Sequence, residues 1–215
     1  MPRTVLLTEG DSPLGAALAR LLVQRGCSVV AAVERGGDSA DLPDRALHVP
    51  WNRRSPVSAR TLLLTALNSF PSVDDVLILE PPCAVDTGLP DAESAAVEKA
   101  FDDARGPVFL AREMLVHYRQ NPGGVLCMVS RGRAAGAVEN GMRELFRGVA
   151  SALLAEAGPG ATSTVVNGFQ QGDADAEEYA AFIDRTLEEK GRKISGRWFA
   201  CPSRGLLGMK LPRRG

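Results

Sequence analysis

The chain has 215 residues, a length that suits one α/β domain with a sizeable buried core. Hydrophobic residues make up 45% of it and charged residues 24%, values near globular averages that exclude collagen-like, low-complexity and wholly disordered proteins. Lysine plus arginine (25) nearly balances aspartate plus glutamate (26), which leaves a formal net charge of -1. Composition therefore gives no electrostatic reason to expect binding to nucleic acid or to an anionic membrane surface.

Targeting segments and cysteine chemistry are not indicated by the sequence. No stretch approaches the roughly 18 uninterrupted apolar residues of a membrane span, and the N-terminus runs directly into a strand pattern. We therefore expect a cytoplasmic protein. The cysteines at 27, 83, 127 and 201 are widely dispersed without any Cys-x-x-Cys spacing. This distribution predicts neither a disulfide framework nor a metal site.

The N-terminal segment predicts a strand, a turn and a helix. Residues 4–8 are apolar or β-branched, and residues 14–22 carry leucines at helical spacing. Ser12 is a favourable N-cap, and Pro13 suits the first helical position. Gly26 stands where a left-handed residue would end the helix. This is the strand–turn–helix unit that opens many α/β domains.

The remainder of the chain continues the alternation of strand and helix. Further strands are predicted at 28–33, 46–49, 75–79, 125–129, 162–166 and 197–201, with helices at 59–68, 92–118, 139–157 and 174–190. Seven strands of parallel type, joined by right-handed crossovers, predict a doubly wound Rossmann-type sheet. No internal repeat or long linker interrupts the pattern, so residues 1–215 are expected to form a single α/β domain.

The first turn and the strands together resemble one enzyme family. Residues 8–15 read TEGDSPLG, and residues 16–30 continue with a leucine-rich helix and an apolar strand. This segment resembles the short-chain dehydrogenases/reductases, whose turn is Thr-Gly-x-x-x-Gly-Ile/Leu-Gly. Residues 75–78, 124–130 and 195–199 resemble that family's fourth, fifth and last strands. The resemblance implies a Rossmann fold and, in an intact member, an NAD(P)-dependent oxidoreductase.

The turn departs from the family pattern at two of its three glycines. Glu9 replaces the first glycine and Pro13 the second, so that only Gly15 remains. Pro13 removes one N–H group from the anion-binding end of the helix. Glu9 and Asp11 would place carboxylates near a bound pyrophosphate. Both changes oppose phosphate binding, and we expect that no cofactor is bound.

An alternative alignment of the first turn is consistent with a vestigial NAD(P)-binding site. Gly10, Ser12 and Gly15 have the spacing of Gly-x-Gly-x-x-Gly with serine in the middle. Arg35 follows the second strand, where a ribose or a 2'-phosphate is read in such folds. The competing interpretation is a proline-started helix with a serine cap and no ligand.

The catalytic residues that the resemblance implies are missing. The family uses a tyrosine as general acid/base, a lysine four residues later and a serine that orients the substrate. The two tyrosines of this chain are followed at the fourth position by proline and isoleucine, so no Tyr-x-x-x-Lys pair occurs. A phenol with a pKa near 10 is a poor proton shuttle at neutral pH without a neighbouring cation.

The family's catalytic positions are occupied by other residue types. Alignment on residues 155–156 places Glu139 and Arg143 at the tyrosine and lysine positions, and a one-turn slip places Arg143 and Arg147 there. Arginine keeps its proton near neutral pH, so neither pair reproduces the acid/base couple. Ser130 ends the fifth strand near the family's serine. Without its partners it is interpreted as a strand-end hydroxyl.

Three other family features are also altered. Residues 79–82 (LEPP) stand where the family carries Asn-Asn-Ala-Gly beside the adenosine, and Asp103 stands at the position of the family's helical asparagine. The substrate lid, expected at about 167–174, is shortened. Together with the missing Tyr-x-x-x-Lys pair, these changes affect the edge of the cofactor pocket, the proton relay and the substrate lid.

These observations favour a non-catalytic subunit with the fold of this dehydrogenase family. The helices at 92–118 and 139–157 resemble those through which family members pair, so we expect assembly with an active paralogue or with itself. One alternative is an NAD(P)-dependent oxidoreductase with an altered site. Another is a sensor that binds nucleotide without turnover. Both alternatives depend on Gly10, Ser12, Gly15 and Arg35.

Overall fold

The fold is taken from a computed structural model that describes residues 2–34, 36, 41–85, 87–132, 136–157 and 164–202. Its strands are β1 (Thr4–Leu7), β2 (Ser28–Glu34), β3 (Leu47–Trp51), β4 (Asp75–Leu79), β5 (Val125–Ser130), β6 (Val165–Gln170) and β7 (Arg197–Ala200). Its helices are α1 (Pro13–Gln24), α2 (Pro56–Ser69), α3 (Ser94–Asp103), α4 (Arg105–Gln120), α5 (Ala137–Glu156) and α6 (Ala176–Thr186). A single 3-10 turn (Leu89–Asp91) precedes α3, and a π-helical turn (Leu187–Gly191) extends α6.

The strands form one sheet in the order β3-β2-β1-β4-β5-β6-β7, and every neighbouring pair is parallel. The strand order reverses between β1 and β4, which pair through Leu7 and Leu77. The predicted doubly wound parallel sheet in one domain is confirmed. In such sheets the crevice outside the carboxyl ends of the strands, at this reversal, is the ligand-binding position.

Each face of the sheet is covered by its own apolar core, which is why the central strands are buried throughout. On one face α1 and α6 pack against the sheet with side chains that include Leu18 and Ile183. On the other face α2, α4 and α5 contribute Leu62, Met114 and Phe146. Across the described ranges, none of the helices combines the length and the apolar character that a bilayer span needs.

The long helix predicted at 92–118 is in fact two helices, α3 and α4, which meet at Ala104. Pro107 explains the break. It has no N–H group to bond the carbonyl of Asp103, so the chain starts a new helix in which proline lies in the first turn. Gly106 lets this turn lie close to β3, because a Cβ there would be 2.7 Å from the Arg53 Cβ.

The sixth strand lies later than predicted, over Val165–Gln170 rather than 162–166. An Asn-Gly pair is typical of turns, but here both residues make tertiary contacts. The Asn167 amide donates to the carbonyls of Gly191 and Ile194, each at 2.7 Å. A Cβ at Gly168 would be 2.5 Å from the Trp198 ring. The first half of the segment expected as a lid is therefore strand, and residues 171–175 alone connect β6 to α6.

Candidate functional site

Two clusters of charged side chains lie at the carboxyl edge of the sheet, one on each side of the strand reversal. The first, called the cradle cluster, lies at the carboxyl ends of β1, β2 and β3, where α3 reaches them. It consists of Glu9, Glu34, Arg53, Lys99 and Asp103. The second, called the Glu80 cluster, lies at the carboxyl ends of β4 and β5, beside the start of α5. It consists of Glu80, Ser130, Arg131, Glu139 and Arg143.

The first turn of α1 uses its backbone donors internally. Ser12 N–H donates to Glu9 O at 2.9 Å, and Ala16 N–H donates to Ser12 O at 2.9 Å. The Ser12 hydroxyl accepts from Gly15 N–H at 3.0 Å, so the predicted N-cap is confirmed. Pro13 has no N–H, and only Leu14 N–H of this turn is not used in these bonds. A helix terminus with its donors engaged in this way is a poor anion site.

The glycines of the first turn have packing roles. Gly10 N–H donates to Ala32 O at 2.8 Å, and a Cβ at Gly10 would lie 3.0 Å from the Ala31 Cβ. A Cβ at Gly15 would lie 2.0 Å from Glu9 O. Both glycines therefore allow the turn to approach β2 and its own backbone. Arg35, the fourth residue of the predicted vestigial site, lies outside the described residues.

Glu9, at the position of the family's first glycine, has a left-handed backbone conformation. Its φ is 55°, which makes it the only non-glycine residue with positive φ in the described part of the chain. For an L-residue this left-handed conformation costs roughly 1–2 kcal/mol. A residue kept at such a cost is retained for its side chain, and the Glu9 carboxylate is almost wholly buried, at 1% exposure.

The Glu9 carboxylate forms a two-point ion pair with Arg53. Arg53 Nε donates to Glu9 Oε1 at 2.9 Å, and Arg53 Nη2 bonds Glu9 Oε2. The Arg53 side chain is 3% exposed, and its third nitrogen, Nη1, lies 3.0 Å from Glu34 Oε2. Two parallel N–H to oxygen bonds give this pair a fixed geometry. The guanidinium thus lies between the ends of β1 and β2.

The cradle cluster continues outward from Glu34. Lys99 Nζ lies 3.4 Å from Glu34 Oε1 and also bonds the carboxylate of Asp103. Arg54 Nε contacts Asp103 Oδ1 at 3.3 Å, at the cluster's rim. Asp103, which stands at the position of the family's helical asparagine, is therefore part of an ion-pair network that joins α3 to the ends of β2 and β3.

Burial and ion pairing act in opposite directions on the cradle cluster. Burial raises the pKa of the Glu9 carboxyl above its usual value, while Arg53 opposes that shift. The hydrogen bond from Arg53 lowers the pKa of the more exposed Glu34. Burial lowers the pKa of Arg53, but the bonds to Glu9 and Glu34 outweigh it and leave that pKa above its ordinary value.

The Glu80 cluster is centred on a carboxylate that is 3% exposed. The Ser130 hydroxyl donates to Glu80 Oε2 at 2.9 Å, and Arg131 N–H donates to the same oxygen at 3.0 Å. Arg143 Nε donates to Glu80 Oε1 at 3.1 Å. Arg143 Nη2 also lies 3.5 Å from Glu139 Oε1, one helical turn earlier on α5. Both Glu80 oxygens therefore accept bonds from neighbouring elements.

Ser130, Glu139 and Arg143, the residues predicted at the family's catalytic positions, meet around Glu80. Arg147, which the one-turn slip would select, lies apart from them. Its Nη2 donates to Gln170 Oε1 at 3.3 Å, and its Nη1 lies 3.5 Å from Glu144. Glu80 joins Ser130 to Arg143, while Glu139 reaches the cluster through its ion pairs with Arg143 and Arg131; the sequence did not predict that a glutamate connects these residues.

Both tyrosines of the chain are core residues. Tyr118 is 1% exposed and Tyr179 is 0% exposed. The Tyr179 hydroxyl donates to the backbone oxygen of Ser130 at 3.0 Å. Burial raises the pKa of each phenol well above 10. A buried phenol whose pKa is raised in this way is a poor proton donor or acceptor at neutral pH.

An open polar cleft adjoins the Glu80 cluster at the ends of β5 and β6. Its volume is about 460 Å³. It is lined by Arg131, Gly132, Asn140, Arg143, Glu144, Arg147, Gln170, Gln171, Gly172 and Asp173. In the described part of the chain, no group of three or more histidine, cysteine, aspartate or glutamate side chains could hold a metal ion.

Two central residues of the site were not singled out from the sequence. Glu80 was noted only as part of an altered segment, although a glutamate that directly follows a wholly apolar strand is an informative signal. Arg53 carried no sequence signal, because its partners Glu9 and Glu34 come from other strands. Only the parallel sheet brings these three residues together.

Comparison with known proteins identifies the fold. No known protein-family profile matches the chain, and no curated protein sequence matches it. Among solved structures, a 3-ketoacyl-(acyl-carrier-protein) reductase from Brucella melitensis, complexed with NADH, is similar at a TM-score of 0.79. It has 15% sequence identity, and the match covers 92% of this chain and 96% of the reductase. This chain has the short-chain dehydrogenase/reductase fold.

Two further structures support that conclusion. Levodione reductase has a TM-score of 0.80 at 15% identity, with 96% of this chain and 98% of that chain covered. A mutant short-chain dehydrogenase/reductase from Serratia marcescens has a TM-score of 0.75 at 14% identity, covering 93% and 96%. At such identities the likeness concerns the fold. It gives no support to the expectation that no cofactor is bound, since one of these reductases holds NADH.

The residues at the first turn of this chain do not fit a dinucleotide pyrophosphate. Three N–H groups of the turn are bonded within it, and a proline removes a fourth. The buried Glu9 carboxylate and its Arg53 partner lie at the carboxyl edge of the strands that form the nucleotide side of the crevice.

Proposed function

We propose that the chain is a subunit with the short-chain dehydrogenase/reductase fold that does not itself carry hydride transfer, and that it assembles with a second chain of this fold. The observation that carries the proposal is the Glu80 cluster. Ser130 and Arg143, two of the residues predicted at the family's catalytic positions, both bond the buried Glu80 carboxylate, and Glu139, the third, pairs with Arg143.

The chemistry of this cluster is poorly suited to proton exchange. Arg143 cannot give up its proton near neutral pH. Ser130 is 0% exposed, and its hydroxyl already donates its proton to Glu80. The family's tyrosine has no counterpart, since both tyrosines are in the core. The cluster therefore supports a role in stability more than one in catalysis.

Assembly is supported by the surface of α4 and α5. An apolar groove of about 220 Å³ lies there, lined by residues that include Val108, Phe109, Leu145 and Val149. Val108 is 42% exposed and Leu145 is 46% exposed. An apolar surface on two adjacent helices is typical of a protein contact. We infer that the second chain, an active paralogue or another copy, covers this groove.

The assembly proposal is tested by sedimentation of the purified chain, alone and mixed with a dehydrogenase encoded beside it. We expect a species heavier than one chain in at least one sample. The double variant Val108→Glu, Leu145→Glu should weaken that association at least about tenfold, because two charges would be buried in the contact. The matched control is Val57→Glu on α2, where the valine is 71% exposed. A chain that stays monomeric in both samples contradicts the proposal.

An NAD(P)-dependent oxidoreductase with an altered site is the second candidate. The comparisons favour it, since the similar structures include reductases and one complexed with NADH. The polar cleft beside the Glu80 cluster also leaves room for a ligand. The proposed non-catalytic role predicts no change in NADH or NADPH fluorescence at micromolar nucleotide. Saturable binding together with carbonyl reduction by the isolated chain would establish the second candidate instead.

A further inference from the structure

The buried Glu9 carboxylate lies at the part of the sheet edge where a doubly wound fold receives its ligand. Glu9 comes shortly after β1, beside the reversal of strand order between β1 and β4. In such folds a dinucleotide pyrophosphate lies outside the end of the first strand, and a carboxylate near the end of the second strand binds its ribose. Glu9 and Glu34 stand at these two places. Both are engaged by a cation of the chain itself.

Arg53 is the cation that the two carboxylates share. Its Nε and Nη2 bond the two oxygens of Glu9, and its Nη1 lies 3.0 Å from Glu34 Oε2. All three guanidinium nitrogens are therefore used within the chain. The Arg53 side chain is 3% exposed and that of Glu9 is 1% exposed, so the pair is closed to solvent. Arginine holds phosphate and carboxylate ligands by the same two-point bonding, and here the chain supplies the carboxylate.

The contacts continue from β2 to α3, on the other side of the crevice. Lys99 Nζ lies 3.4 Å from Glu34 Oε1 and also bonds Asp103. Asp103 is 5% exposed and accepts from Arg54 Nε at 3.3 Å. Side chains from α3 and from the ends of β1, β2 and β3 are thus joined without any ligand. A nucleotide that entered here would have to replace bonds that the chain already makes.

The backbone of Glu9 gives an independent reason to assign a role to its side chain. Its φ of 55° lies in the left-handed region, which glycine adopts without strain. A strained residue persists where its surroundings offset the strain, and the bonds to Arg53 are the contacts that do so here. What position 9 gains from glutamate is therefore the carboxylate.

The charged groups of the crevice sum to a negative charge because of Glu9. The described side chains joined there are four carboxylates and three cations, namely Glu9, Asp11, Glu34, Asp103, Arg53, Arg54 and Lys99. Without Glu9 the two signs would balance, and Nε and Nη2 of Arg53 would lose their acceptors. A buried guanidinium with unused donors strongly favours an anionic acceptor.

We propose that Glu9 is an internal anionic ligand that closes the nucleotide crevice, and that Arg53 is the cation of a latent phosphate site behind it. Removing the Glu9 side chain vacates the anion position and leaves two donor nitrogens of Arg53 for phosphate oxygens. The turn of α1, with Pro13 and its bonded N–H groups, then contributes less to the exclusion of a nucleotide than the ion pair does. The inference requires neither the proposed assembly nor the Glu80 cluster.

Titration of the full chain with ADP, followed by NMR of the nucleotide at matched ionic strength without magnesium, tests this inference. The unmodified chain should bind ADP with a dissociation constant above about 10 mM. Glu9→Gly should bind it with one below about 1 mM, because charge-assisted hydrogen bonds from Arg53 become available. Adenosine, which carries no phosphate, should bind the unmodified chain and the variant within about twofold of each other, since it gains no such bond.

The matched control is Pro13→Gly, which alters the same turn but leaves the ion pair between Glu9 and Arg53 in place. It should bind ADP no better than the unmodified chain. Glu9→Asn is a second test variant in case Glu9→Gly does not fold. Asparagine tolerates the left-handed conformation, and its shorter, neutral side chain also opens the crevice, so it should gain ADP binding as well. Circular dichroism establishes that each variant is folded.

Four results would overturn the inference. They are ADP binding by the unmodified chain as tight as that of Glu9→Gly, no gain in the folded position 9 variants, an equal gain in Pro13→Gly, and an equal gain for adenosine. The last would mean that the space vacated by Glu9, rather than the Arg53 cation, accounts for binding. None of these results bears on the sedimentation test, so the two proposals fail separately.

Discussion

Replacing Arg53 with methionine is expected to lower the free energy of unfolding by about 3–5 kcal/mol, because the substitution leaves the Glu9 carboxylate buried without its cation. Arg53 is 3% exposed and Glu9 is 1% exposed, so water cannot replace the lost bonds. Urea unfolding followed by circular dichroism measures the change. The matched control is Arg54→Met, whose side chain is 45% exposed and whose loss should cost at most about 1 kcal/mol.

A double variant distinguishes the cost of burying an unpaired charge from the cost of losing the ion pair. Glu9→Gly combined with Arg53→Met removes both charges and returns a glycine to a position with φ of 55°. Glycine relieves the roughly 1–2 kcal/mol of left-handed strain. We therefore expect the double variant to be more stable than Arg53→Met alone. A double variant that is less stable than Arg53→Met would contradict this expectation, because it would mean that the Glu9 side chain stabilises the fold even without its cation.

The Arg53→Met variant should also respond to pH in a defined direction. Burial raises the pKa of Glu9 even with Arg53 present, and removing the cation raises it further. A carboxyl whose pKa is higher in the folded chain binds its proton more tightly when folded. This contribution is complete below the pKa of the unfolded chain and is lost as the pH rises through the folded pKa. The stability deficit of Arg53→Met should therefore shrink as the pH is lowered from neutral towards the unfolded-chain value.

Replacing Glu80 with leucine is expected to cost about 3–5 kcal/mol of unfolding free energy as well. The substitution removes the acceptor for the Ser130 hydroxyl and leaves the guanidinium of Arg143, which is 7% exposed, with only Glu139 at 3.5 Å. The measurement is again urea unfolding. Glu144→Leu, at a carboxylate that is 61% exposed, should cost less than about 1 kcal/mol.

The coupling between Glu80 and Arg143 distinguishes a structural cluster from independent contacts. The double variant Glu80→Leu, Arg143→Met should lose less stability than the two single variants added together, because each single variant leaves an unpaired buried charge. Strict additivity would show that the two side chains do not act as a pair. It would also weaken the proposal that the family's catalytic positions have been converted to a stabilising role.

The number of strands, their order along the chain and the caps of α1 could be predicted from the sequence, because they depend on local patterns. Apolar runs, leucine spacing and the Ser12-Pro13 helix start act over a few residues. Two boundaries were wrong, the first for a local reason and the second for a tertiary one. Pro107 divides a helix that hydrophobic spacing alone continues, and the Asn167-Gly168 pair is held in β6 by contacts with the π-helical turn and β7.

The sequence by itself determined which family residues are absent, because counting tyrosines and lysines needs no coordinates. Which charged side chains pair at the carboxyl edge of the sheet was decided by the tertiary structure. Arg53 is 44 positions from Glu9, and Arg143 is 63 positions from Glu80. Charges so far apart in the chain have no preferred partner until a parallel sheet places the carboxyl ends of its strands at one edge and removes them from water.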